Sequence, residues 1–223
     1  MTLMGVTKVM IIRHAEKPGT YNNVQYSGIN AQGQPDNESL TTVGWERAGS
    51  IANLFFPTNN SFQSPELAAP AYIYAASPAI KMKLRPDGNI LQDEPSQRPY
   101  QTVAALYGKM RANAEQAPEL NIAFDKDDYP AMIADVLALA RGTVLISWQH
   151  EDVLPKSPGD NCVVSELLKQ SRSAAPSDLP AGPWPGSRYD MVLVFDRPSG
   201  AGPFTAFTQV PQMLLAGDTS ARF

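Results

Sequence analysis

The chain has 223 residues, 43% hydrophobic and 18% charged, enough for one sizeable core with elaborated loops. A net charge of −4 gives no electrostatic grip on nucleic acid or an anionic membrane, so an anionic substrate must be met by a local basic cluster. The one cysteine, Cys162, excludes an internal disulfide, fits a reducing compartment and reads as core filler on a helix.

The N-terminal stretch from Met1 to Lys8 lacks the basic, long apolar and small-residue order of a secretory leader. No run is long enough to span a membrane, and a cytoplasmic protein is expected. Lys8 to Arg13 is the first strand, an apolar run that ends abruptly in Arg13-His14. Residues 15–40 are polar and aperiodic and read as a long loop, a length that in compact domains goes with function. Thr41 or Thr42 then caps a helix to about Phe56, with Val43, Ala48, Ile51, Ala52 and Phe55 inward and Pro57 as the stop.

Ala71 to Ala75 is the second strand, leading into Ala76-Ser77-Pro78. Residues 79–96 read as an irregular loop carrying Lys81, Lys83 and Arg85, a small basic group that is either a solvated face or an overhang that steers anions. Gln97 to Tyr107 reads as a helix with Pro99 in its first turn, where a missing N–H is no loss. Leu120 to Phe124 is a short strand, and Asp127 or Asp128 opens a helix that Gly142 closes. Thr143 to Trp148 is a strongly apolar strand running into Gln149-His150-Glu151-Asp152. A helix across 161–170, a strand from Tyr189 to Phe195 and an edge hairpin over Phe204 to Thr208 complete the chain. The 20 prolines and 15 glycines fall between the periodic segments, which gives long structured loops on one domain over 1–223 rather than a linker between two.

Strands alternating with helices predict an α/β fold: three layers, α/β/α, with a mainly parallel sheet flanked by helices and long active-site loops. Ligands bind beyond the carboxyl ends of such strands. Each of the two histidines, His14 and His150, directly follows an apolar strand, so adjacent parallel strands would bring both imidazoles to one sheet edge.

Two imidazoles and two or more arginines at one edge suit phosphoryl transfer. A guanidinium matches two phosphate oxygens at once and stays charged. A neutral imidazole is a nucleophile at pH 7, a protonated one a donor to the phosphoryl oxygens, and a carboxylic acid must protonate the leaving oxygen. The scheme calls for no metal and no cofactor.

Arg13-His14-Ala15, Leu40-Thr41-x-x-Gly44, Ala76-Ser77-Pro78, Arg98-Pro99-Tyr100-Gln101-Thr102 and His150 occur in that order. The pattern resembles the histidine phosphatase superfamily, of phosphoglycerate mutase-like fold, over most of the chain. The resemblance implies His14 as the phosphorylated nucleophile and Arg13, Arg98 and His150 as the phosphate pocket, with Ser77 lining it.

The chain departs from the family pattern in three ways. Ala15 stands where the family has glycine, the interval between Ser77 and Arg98 is longer, and Glu151 follows the second histidine. The long interval makes Arg85 a competitor of Arg98, which the continuing Tyr100-Gln101-Thr102 favours. Glu151 resembles the proton donor of the acid-phosphatase branch; Asp152, or one of Glu115, Glu119, Asp125, Asp127 and Asp128, are alternatives. Glu16 and Lys17 either touch substrate or form an internal pair. Trp148 and Trp184 read as packing.

The expected activity is a metal-independent phosphomonoester hydrolase working through a phosphohistidine on His14. A phosphoglycerate-type mutase, or a non-catalytic phosphate- or phosphoprotein-binding module, are the alternatives. The expected partner is a small phosphorylated substrate or a phosphopeptide, with phosphate or sulfate as a stand-in occupant, and neither nucleic acid nor membrane.

Overall fold

The computed structural model describes residues 5–21 and 23–223, apart from the side chains of Lys83 and Asp93. The first four residues of the expected leader-free N-terminus lie outside the described part.

The fold is built on β1 (Gly5–Arg13), whose residues Val9 to Arg13 are all fully buried. A strand shielded on both faces needs apolar side chains on both, and Val-Met-Ile-Ile supplies them. In chain order there follow β2 (Gly19–Tyr21), β3 (Val24–Tyr26), α1 (Thr42–Phe55), β4 (Tyr72–Ala75), β5 (Lys81–Leu84) and β6 (Ile90–Asp93). Next come α2 (Arg98–Asn113), β7 (Glu119–Asn121), α3 (Tyr129–Ala138), β8 (Arg141–Trp148), α4 (His150–Val153), α5 (Val163–Gln170), β9 (Met191–Asp196) and β10 (Ala206–Pro211).

Six strands form one sheet in the order β10-β9-β1-β8-β4-β7. The pairs β1/β8, β8/β4 and β4/β7 are parallel, while β9 runs antiparallel to both its neighbours. The sheet is therefore mainly parallel. Period two sorts its side chains onto two faces. Val9, Ile11, Val144, Ile146, Leu193 and Phe195 pack with α3 and α5 residues on one face. Met10, Ile12, Leu145, Val192 and Val194 pack with Ile51 and Phe55 of α1 and Val103 and Leu106 of α2 on the other. Helices thus cover both faces, giving the three expected layers.

Several expectations change in detail. Residues 79–96 are not an irregular loop but contain the antiparallel ribbon β5–β6. Its turn, Arg85-Pro86-Asp87-Gly88-Asn89, closes by Arg85 N–H donating to the Asn89 carbonyl at 2.7 Å, and Gly88 takes φ of +83°. The period-two pattern does not show in the sequence because no described residue of the ribbon is buried against the core. Residues 15–40 likewise hold a ribbon, β2–β3, rather than loop alone. Helix α2 runs on past Tyr107, since Gly108 is solvent-facing and tolerated there. Gly142 does not close α3 but lies inside β8, with φ of +108°. Cys162 is buried and caps α5, its Sγ accepting from the Ser165 N–H at 3.3 Å. Among the described residues no helix is long and apolar enough to cross a membrane.

Candidate active site

The parallel register pairs Arg13 with Trp148, and the His14 N–H donates to the Trp148 carbonyl at 3.0 Å. His14 therefore leaves β1 beside the point where Gln149-His150 leaves β8. The two imidazoles stand edge to face, centroids 6.1 Å apart and planes at 90°.

His14 is buried, and its Nδ1 lies 2.7 Å from the Ala15 carbonyl oxygen. A carbonyl only accepts, so Nδ1 carries the proton and Nε2 holds the free lone pair. Burial first, then the Arg13 charge, lowers the His14 pKa well below the ordinary histidine range. The ring is a neutral base near pH 7.

Arg13 is fully buried. Its Nη1 donates to the carbonyls of Gly186 and Arg188, both at 2.8 Å, and of Pro185 at 3.2 Å. Its guanidinium carbon lies 3.7 Å from the centroid of the Tyr189 ring. Burial pushes its pKa down to about 10, which still leaves it charged at neutral pH. One nitrogen is thus anchored, while Nε and Nη2 are buried with no protein partner.

Arg98 begins α2 and donates through Nη1 to the Asn37 carbonyl at 2.8 Å and through Nη2 to Glu38 at 3.4 Å. Its Nε is also buried and unpartnered. Its charge acts on both histidines, whereas the competitor Arg85 is exposed at the tip of the β5–β6 ribbon. His150 opens α4; its Nδ1 is buried without a partner, and its Nε2 lies 3.8 Å from Glu151. Burial and Arg13 push its pKa down to about 4, so the second imidazole is neutral in the free protein rather than protonated. A bound dianion would favour its charged form.

A buried polar hydrogen or lone pair left unpaired costs about 1–3 kcal/mol. Six side-chain atoms are in this state among the described residues, and four belong to Arg13, Arg98 and His150. Such a concentration marks a place prepared for a ligand rich in acceptors. Beside it opens a cleft of about 320 Å³, lined among others by Ser77, Lys81, Ser96, Arg98, Lys126 and Gln149. Ser77 closes the β4 end there; its N–H donates to the Phe124 carbonyl at 2.8 Å. Lys81 pairs with Asp125 across this cleft.

The carboxylates divide clearly. Glu151 is half exposed beside His150, and Asp152, one residue on, has its pKa raised by burial. Asp125 and Asp127 line the cleft, whereas Glu119 lies in a separate groove at the β7 edge and Asp128 precedes α3. Glu16 does not reach the site: Arg47 donates to its carboxylate at 2.8 and 2.9 Å, so the internal pair is with Arg47 and not with Lys17. Lys17 is half-buried and its charge acts on His150. Trp148 and Trp184 are buried in the core.

Sequence reasoning missed Tyr189, which carries the Arg13 face, and Thr102, whose Oγ1 accepts the Ala15 N–H at 2.8 Å. Tyr189 has no local signal, because its contact joins residues 176 positions apart by topology alone. The Gln101-Thr102 pair was visible as a motif, but its work, holding Leu40 and Ala15, was not.

No family model matches the chain, and no curated protein matches it. Among solved structures, the chain is similar to SixA from Agrobacterium tumefaciens, a candidate phosphohistidine phosphatase. The match has 15% identity and a TM-score of 0.38 and covers 91% of this chain and 97% of that one. At that distance the likeness carries neither a family nor an activity.

Proposed function

We propose that the protein is a phosphomonoester hydrolase that passes the phosphoryl group through His14. One observation carries this reading: a neutral imidazole with its Nε2 lone pair free stands among three buried, unpartnered guanidinium nitrogens of Arg13 and Arg98 and the unpartnered Nδ1 of His150. The Nε2 atom attacks phosphorus in line with the leaving oxygen. Arg13 Nε and Nη2 and Arg98 Nε take the equatorial oxygens, and their charge grows in value as the transition state spreads negative charge over those oxygens. His150, charged once the dianion is bound, adds a further donor.

The leaving oxygen needs a proton, and Glu151 or Asp152 supplies it from the α4 side. The same carboxylate then takes a proton from the water that attacks the phosphohistidine, which returns His14 to its neutral form. The cations already neutralise the phosphoryl charge, so no step calls for a metal. The cleft beyond Ser77 receives the rest of the substrate.

The resemblance of Arg13-His14, Leu40-Thr41-x-x-Gly44 and Arg98-Pro99-Tyr100-Gln101-Thr102 to the histidine phosphatase superfamily supports the same reading. A panel of phosphorylated metabolites, nucleotides and peptides tests it. Turnover is expected for the wild type, with His14→Ala lower by on the order of 10⁴-fold or more. Phosphate binding without turnover of any panel member would instead favour a binding module.

A further inference from the structure

The turn that carries the nucleophile is held at three points. Thr102 Oγ1 accepts the Ala15 N–H at 2.8 Å, and the Glu16 carbonyl accepts the Thr41 N–H at 3.0 Å. The latter bond needs α1 close to the turn. Gly44 allows this, since a Cβ there would stand 2.6 Å from the Glu16 oxygen. The third point is the Glu16 side chain, gripped by Arg47 from α1.

Arg47 is buried and does more than hold Glu16. Its Nη2 and Nη1 donate to the two Asp218 oxygens at 2.7 and 3.0 Å, and Nη1 also donates to Gln212 at 3.2 Å. Asp218 accepts in addition from the Leu214 and Leu215 N–H groups, at 2.7 and 3.1 Å. Two carboxylates therefore share one guanidinium, all three side chains being at most 6% exposed. Apolar residues could fill such a space at no loss of stability, so a buried ion network calls for another reason. Position supplies one: Glu16 is two residues from His14, and the Ala15 carbonyl between them orients the nucleophilic ring.

The segment that brings Asp218 serves Arg13 as well. The Thr219 N–H donates to Asp190 at 2.8 Å, Asp190 accepts from Arg188 Nε at 2.6 Å, and the Arg188 carbonyl holds Arg13 Nη1 at 2.8 Å. Residues 212–219 thus fasten both Arg13 and the turn after His14.

We propose that Arg47 and Asp218 are positioning residues: through Glu16 they hold the 14–16 turn so that the His14 Nδ1–H stays on the Ala15 carbonyl and Nε2 stays aimed at phosphorus. The proposal rests on His14 being the nucleophile. Loosening the grip on Glu16 leaves Arg13 its own contacts to the Pro185 and Gly186 carbonyls and to the Tyr189 ring but misaims the attacking atom, so it acts on turnover more than on binding.

The test compares wild type with Asp218→Asn, Arg47→Lys and Glu16→Gln, each of near-native size, at a temperature where thermal melts show all chains folded. The expected result on an aryl phosphate is a fall in kcat of about ten- to a hundredfold with KM within about threefold of wild type. Because the three residues act as a unit, the Glu16→Gln/Asp218→Asn double variant should be little worse than either single one. With only two histidines in the chain, ¹⁵N-histidine NMR reads the ring directly. The His14 Nδ1–H tautomer is expected to dominate in the wild type and to lose population in Asp218→Asn. Unchanged kcat and an unchanged His14 tautomer in these variants would overturn the proposal. If the wild type neither turns over nor forms phosphohistidine, the enzymatic reading fails on its own, and the NMR comparison still decides whether the network positions the ring.

Discussion

Two β-ribbons flank the end of the sheet that holds both histidines, and they are built on opposite plans. β2–β3 is pinned inward: the Tyr21 hydroxyl donates to the Lys17 carbonyl at 2.5 Å and pairs with the Tyr189 hydroxyl at 2.9 Å. Tyr189 is the ring on which Arg13 rests. β5–β6 projects outward, tied at its base by the Lys81–Asp125 pair, with Met82, Leu84 and Ile90 on one face at 66%, 75% and 65% exposure. The difference separates support of Arg13 from the outer wall of the cleft. One ribbon is hydrogen-bonded to the tyrosine whose ring carries Arg13; among the described residues the other meets the rim of the cleft through an ion pair.

The strongest way to break this division is at its inner end. Arg13→Lys keeps the charge but cannot both hold three carbonyls and present two free donors. It should lower kcat/KM by on the order of 10²-fold or more, read in steady-state kinetics. Tyr21→Phe removes the hydroxyl that joins the inner ribbon to Tyr189. The loss of a typical hydrogen bond, about 1 kcal/mol, corresponds to a factor of about five in kcat if the bond serves the transition state.

A pH profile sharpens the same point. Both histidines have lowered pKa values in the folded chain, His150 to about 4. The unfolded chain therefore binds more protons below about pH 6.5, and stability should fall as pH drops through the window from 6.5 towards 4 and stay level above it. The acidic limb of kcat/KM should lie below pH 6.5 as well, because His14, the proposed nucleophile, remains neutral there. A limb centred at the ordinary histidine value would mean that the site is less buried than its geometry shows.

The smallest effect is expected on the outer ribbon. Replacing Met82, Leu84 and Ile90 together by serine should leave stability within about 0.5 kcal/mol per site, because exposed side chains contribute little to the fold. Activity on a small aryl phosphate should stay within about twofold of wild type, since that substrate ends inside the cleft and surface changes away from the site are near neutral. A large loss there would join the two ribbons into one functional unit.

What the sequence made legible follows the range of the physics involved. An apolar strand with Arg-His at its tip is a local pattern, and so is its second occurrence before His150. The parallel sheet then had to bring them together. The start of α2 was readable to within one residue, Gln97 being expected and Arg98 found, from Pro99 and the helix pattern after it. The β5–β6 ribbon was not, because none of its described residues packs on the core and so its alternation has no buried side to announce it. The ties among Glu16, Arg47 and Asp218 were hidden for another reason. They join positions 31 and 171 residues apart, which only the finished fold brings within hydrogen-bond reach.

The central claim is that His14 takes the phosphoryl group. Rapid quench of the wild-type protein with a ³²P-labelled phosphomonoester, followed by peptide mapping, tests it most directly. The account predicts acid-labile, base-stable phosphate on the peptide holding His14, formed no slower than turnover and absent in His14→Ala. Turnover with no label at His14, or with label elsewhere, would contradict it.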